Sequence, residues 1–127
     1  MSAFIRSLAL GKPQRAKPSV QARELIRQLS RVGNNLNQLL DHAQNGKIDG
    51  AQHIKHVFGR VSGALTFWTS GEASSKAIAQ EAITLLAHEG TRLNGLARQA
   101  NKGELVSEDQ LLKVLHDLTD KLRPFCP

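Results

Sequence analysis

The chain has 127 residues, 40% hydrophobic and 22% charged, with a formal net charge of +6. This is enough for one domain with a modest core. No apolar run approaches the roughly 18 residues of a membrane span, residues 1–12 lead to no small-residue cleavage site, and the single cysteine, Cys126, rules out an internal disulfide and suits a cytoplasmic location. Residues 2–10 read as a short helix. Residues 11–18 read as a linker, because Pro13 and Pro18 interrupt any helix. Ser19 can cap a second helix that runs to about Asn45 and stops at Gly46. A third runs from about Asp49 to Thr69, with Ile54, Val57, Phe58, Val61, Leu65 and Trp68 on one side. A fourth runs from about Ser74 to Asn101 and stops at Gly103. Ser107, followed by Glu108 and Asp109, opens a fifth, with Leu111, Leu115, Leu118, Leu122 and Phe125 inside. No stretch alternates as a strand would, so the expected fold is all-α: a basic arm over residues 1–18 and a helical bundle over residues 19–127.

The second half of the bundle repeats the first. A shift of 57 residues gives 12 identities in the 47 positions from 19 to 65 without a gap. Among them are Gly33/Gly90, Leu36/Leu93, Asn37/Asn94, Ala43/Ala100 and Gly46/Gly103. Two amphipathic helices do not usually share an internal Gly, an Asn and a stop Gly. The pattern therefore predicts two tandem helix hairpins, about 19–69 and 74–127, that superpose and close a four-helix bundle.

Charge is distributed unevenly. Arg6, Lys12, Arg15, Lys17, Arg23, Arg27 and Arg31 face a single acid, Glu24, in residues 1–31, which accounts for the whole +6; the remainder sums to zero. Positive charge gathered beside a neutral body is the footprint of a polyanion-binding end, with a solubility tail as the bland alternative. On a wheel of about 100° per residue, Leu25, Leu29, Val32, Leu36, Leu39 and Ala43 form one face of the second helix. Arg23, Arg27, Arg31, Asn34 and Gln38 form the nearly opposite one. Arg grips phosphate with a planar fork, and Asn or Gln can read an adenine edge, so this stripe is a candidate contact with double-stranded DNA. The alternative is a solvated polar face. Asn35 and Asn37 lie on opposite flanks, where hydrogen bonds to neighbouring helices are expected. Gly33 and Gly90 each cost about 1 kcal/mol in a helix relative to Ala, which points to close helix–helix approach.

Gly33-Asn34-Asn35-Leu36-Asn37-Gln38-Leu39 resembles the signature of the MobC family of plasmid mobilisation proteins, which are relaxosome accessory factors. That signature continues with Ala-Arg and, further on, Asn and Gly. Ala97, Arg98, Asn101 and Gly103, in the segment that starts at Leu93 and Asn94, resemble its second half. Neither copy is complete. The first has Leu40-Asp41 in place of Ala-Arg; the second has Thr91-Arg92 for the paired Asn and Gly95 for the Gln. Either both copies keep the family's activity or one serves mainly as scaffold. Phe4 to Pro13 resembles the end of a ribbon-helix-helix module whose strand and first helix are missing here. Either the chain begins at a later start or it is a fragment, and DNA binding without the ribbon is expected to be weaker and less sequence-specific.

The resemblance implies a non-enzymatic protein that binds at or near an origin of transfer and assists a relaxase, with room for homo-oligomerisation. The competing expectation is an interaction module that docks a relaxase without touching DNA. Cofactors are not expected. His53 and His56 are three apart but lack a third ligand at useful spacing, and no nucleophile set or phosphate loop is present. His42, His88 and His116 are expected at the surface, and Phe67 and Trp68 in the core or at an interface.

Overall fold

The structure, a computed structural model, describes residues 19–70 and 77–126. The expected helix over residues 2–10 and the linker after it lie outside the described residues. Four helices follow: α1 (Val20–Gln44), α2 (Ala51–Thr69), α3 (Gln80–Asn101) and α4 (Glu108–Leu122), the last continued by a 3-10 turn, Arg123–Phe125. No strand occurs among the described residues.

Local chemistry sets the limits. Ser19 Oγ accepts from the Ala22 amide at 3.0 Å, and Ser107 Oγ accepts from the Gln110 amide at 3.3 Å, so both serines cap. The fourth expected helix begins later than Ser74: Ala79 is extended and α3 opens at Gln80. Ile78, just before that cap, packs on the core, the place of a hydrophobic staple to Ile83. Both stop glycines take a left-handed backbone, φ 78° at Gly46 and 77° at Gly103. Both helices end in the same pair of turn bonds. Lys47 N donates to His42 O and Gly46 N to Ala43 O; Glu104 N donates to Gln99 O and Gly103 N to Ala100 O. Every one of these positions moves by 57 residues between the copies, as do the first residues of α2 and α4.

The helices form a ring in the order α2–α1–α3–α4, closed where α2 and α4 touch least. Helices α1 and α3 are parallel, because Arg31 bonds to Thr91 while Gln38 and His42, further along α1, bond to Asn101, further along α3. The core runs through the ring's centre. Leu25, Leu29, Val32, Leu36 and Leu39 of α1 are fully buried beside Ile54 and Val61 of α2, Leu86 and Leu93 of α3, and Leu118 and Leu122 of α4. Trp68 is buried at the α2–α4 seam; its Nε1 donates to Phe125 O at 2.8 Å, and the two rings meet edge to face.

The hairpins do not pack alike. On α1, Ser30, Gly33 and Asn37 turn towards α2. On α3, the glycine that corresponds to Gly33 turns towards α1: a Cβ on Gly90 would meet Val32 Cγ2. Helix α3 meets α4 through Arg92, Gly95 and Gln99, the opposite flank. The repeat predicts superposable hairpins, yet the return helices pack on opposite flanks of α1 and α3, for a geometric reason. Two parallel neighbours touch through opposite flanks, so the flank left for the return helix is opposite in each copy.

Candidate nucleic-acid interface

The outward stripe of α1 starts with arginines in three different states. Arg23 is exposed, and its guanidinium makes no hydrogen bond or ion pair among the described residues. Arg27 is exposed but forked onto Glu24, with Nη2 at 2.8 Å from Oε2 and Nε at 3.2 Å from Oε1. Hydrogen bonds from Gln28 and Arg27 hold the Glu24 carboxyl below the usual carboxylate range. Arg31 is half-buried; Nη2 donates to Thr91 Oγ1 on α3 at 3.2 Å and Nη1 to Gln28 Oε1 at 3.4 Å. A polyanion at this face meets Arg23 directly and has to compete with Glu24 for Arg27. An ion pair this exposed is screened by solvent and salt and holds weakly, so a phosphate can displace Glu24.

The amides divide. Asn34 is exposed beside the α1–α2 groove, which Ser30, Asn37, Phe58, Ser62 and Leu65 also line. Gln38 turns the other way, and its Oε1 accepts from Asn101 Nδ2 at 3.0 Å. Asn101 Oδ1 lies 2.8 Å from His42 Nε2. The stripe expected to face solvent as a unit is therefore split: Arg31 and the still exposed Gln38 bond to α3, while Arg23, Arg27 and Asn34 make no hydrogen bond to it. Asn35 and Asn37, expected to bond to neighbouring helices, do not. Asn35 is 5% exposed and its Nδ2 has no partner, and Asn37 is exposed. Side-chain length explains the exchange. Across an interaxial distance of about 8–10 Å the long Arg31 and Gln38 meet Thr91 and Asn101, whereas the short Asn35 and Asn37 find no polar partner opposite them among the described residues.

Arg6, Lys12, Arg15 and Lys17 lie outside the described residues. Of the signature-like residues, Leu36 and Gly33 are buried, Gly103 supplies the α3 stop, Asn94 is half-buried, and Arg98 is exposed. His42, expected at the surface, is half-buried in the α1–α3 contact. Thr91 was invisible as a partner, since nothing in sequence ties it to Arg31. Glu24 was legible, because Arg27 and Gln28 follow it at i+3 and i+4. The second copy carries a network the first lacks: Arg92 Nη1 reaches Glu89 at 2.7 Å and Asp117 of α4 at 3.0 Å, with Lys113 3.3 Å from the same Asp117 oxygen. The hydrogen bond from Arg92 lowers the Asp117 carboxyl, and Asp117 in turn raises Arg92. No group of three His, Cys, Asp or Glu among the described residues could hold a metal ion, and no described helix is long and apolar enough to cross a membrane.

The family model of the NikA-like mobilization proteins, described as mobilization protein NikA, matches residues 1–43. No curated protein matches the chain. No solved structure matches it. The family match ends at Ala43, the last buried residue of α1, so it covers the first third of the chain and supports a role in plasmid mobilisation.

Proposed function

We propose that this chain is a non-enzymatic, cytoplasmic accessory protein of plasmid mobilisation. It binds double-stranded DNA at or near an origin of transfer and assists a relaxase in assembling the relaxosome. One coincidence carries the reading: the segment that matches a mobilization family, residues 1–43, takes in all of the basic stretch over residues 1–31, whose net charge of +6 equals that of the whole chain, and with it the outward arginines of α1. The MobC-like words at residues 33–39 and 97–103 support the finer assignment to a relaxosome factor. In this reading Arg6, Lys12, Arg15, Lys17, Arg23 and Arg27 neutralise phosphate, Arg31 does so from its half-buried place, and Asn34 bears on selectivity. Gel shifts with origin-of-transfer and random duplexes, with and without relaxase and over a salt series, test it. Each phosphate contact contributes a slope of about −0.9 to log affinity against log salt. Deleting residues 1–18 flattens that slope; an unchanged slope would move the DNA site off this end of the chain.

A second reading, a docking module for the relaxase without DNA contact, draws on the α1–α2 groove of about 360 Å³, where Asn34 and Asn37 stand without partners over the half-buried Phe58. Asn34→Ala separates the two readings. Loss of relaxase nicking at unchanged DNA affinity favours docking.

A further inference from the structure

Helix α3 carries a second basic position that the parallel packing brings to the outward face of α1. Thr91 and Asn101 of α3 both touch α1, through Arg31 and through Gln38 and His42. Asn94 and Arg98 fall between them at helical steps of 3, 4 and 3, so the four lie on one stripe of α3. The contacts fix the register. Residue 31 meets 91, and residues 38 and 42 meet 101, so Arg98 stands level with Gln38 and Asn94 level with Asn34. Arg98 is exposed and makes no hydrogen bond or ion pair among the described residues. Asp41, the acid nearest in register, is exposed and forms no ion pair with it. The hydrogen bonds above and below fasten the two helices without occupying Arg98. Lateral spacing of about 8–10 Å between helix axes makes the outer faces one continuous surface.

We infer that Arg98 is a duplex-phosphate contact, and that the DNA-facing surface is a two-helix ridge built from both hairpins rather than α1 alone. This rests on the DNA-binding reading above. The ridge would straddle backbone phosphates, since two helices side by side exceed the roughly 12 Å major groove. Arg98 then adds one phosphate contact to those of Arg23 and Arg27, at the far end of the ridge from the arm.

The test uses the full chain with four variants: Arg98→Ala, Arg98→Lys, Arg27→Ala with Arg31→Ala, and Lys55→Ala. Lys55 is an exposed lysine on α2, away from the ridge, and serves as the control for bulk charge. Binding to one origin duplex is measured by fluorescence anisotropy from 50 to 200 mM salt. The expected result is that Arg98→Ala reduces the salt slope by about 0.9, so that the wild-type advantage shrinks about three- to fourfold across that range. Arg98→Lys keeps the slope, and Lys55→Ala does not change it. Thermal melts followed by circular dichroism should coincide for Arg98→Ala and wild type, since Arg98 has no partner to lose. If Arg98→Ala behaves like Lys55→Ala while the Arg27 and Arg31 pair still flattens the slope, the ridge inference fails and the DNA reading stands. If neither arginine set affects binding, both fail.

Discussion

The two buried helix glycines should respond in opposite ways to the same added methyl. Gly→Ala inside a helix gains about 1 kcal/mol from backbone entropy alone. At Gly33 a Cβ would stand 3.6 Å from Val61 Cγ1, an ordinary contact, so that gain is kept. For a chain of this size about 1 kcal/mol raises Tm by roughly 3–5 °C. At Gly90 the Cβ would stand 3.3 Å from Val32 Cγ2, tighter than an ordinary contact, and the fully buried Val32 would have to shift within the packed core. Overpacking costs about 1–3 kcal/mol, so Gly90→Ala is expected to lower stability by up to about 2 kcal/mol after the propensity gain is subtracted. Val32→Ala removes the opposing methyl. In that background Gly90→Ala should become stabilising, which a double-mutant cycle reads as a coupling of about 1 kcal/mol or more. Urea unfolding followed by far-UV circular dichroism measures all four proteins. Equal stabilisation by Gly33→Ala and Gly90→Ala would refute the close approach of α3 to α1.

Other substitutions probe other contacts. Trp68→Phe keeps the ring but removes the donor to Phe125 O, and should cost about 1–2 kcal/mol in the same urea assay. Gln38→Ala and Asn101→Ala remove two ends of one hydrogen bond, so their urea-unfolding effects should be less than additive; strict additivity would mean the bond is not made. Asp117→Asn tests the acid limb. The Asp117 carboxyl is lowered in the folded protein, so its contribution is complete above the ordinary carboxylate range and is lost as pH falls through its depressed value. The gap in Tm between wild type and Asp117→Asn should therefore be full at neutral pH and close in acid. Arg27→Ala should change stability by no more than about 0.5 kcal/mol, because its pair with Glu24 is solvated.

Much of this architecture is visible in the sequence because helix limits are set by local chemistry. Ser19 and Ser107 cap, Gly46 and Gly103 stop, and the seam Leu25, Leu29, Val32, Leu36 and Leu39 is buried as its spacing demands. What the spacing could not reveal is which flank of each helix meets which neighbour. A wheel divides α1 into inside and outside, but it does not show that α3 stands within reach of the outside, where Arg31 and Gln38 bond to Thr91 and Asn101. The same gap explains the hairpins. Identities at a fixed offset record which residues face the core, and they carry no information on handedness. It also explains Asn35, whose position beside the core seam leaves it enclosed without a partner for its amide nitrogen.

The Trp68 seam has a dynamic consequence. Three sides of the ring are extensively packed, whereas α2 and α4 meet through a thin contact latched by the Trp68 to Phe125 bond. Proteins open first where the fewest apolar contacts must be broken. Brief sub-global opening should therefore swing the two return helices apart and leave α1 and α3 paired. Hydrogen exchange would then be faster along α2 and α4 than along α1 and α3. The tryptophan sits at that joint, so its emission reports the opening before far-UV signals register any loss of helix.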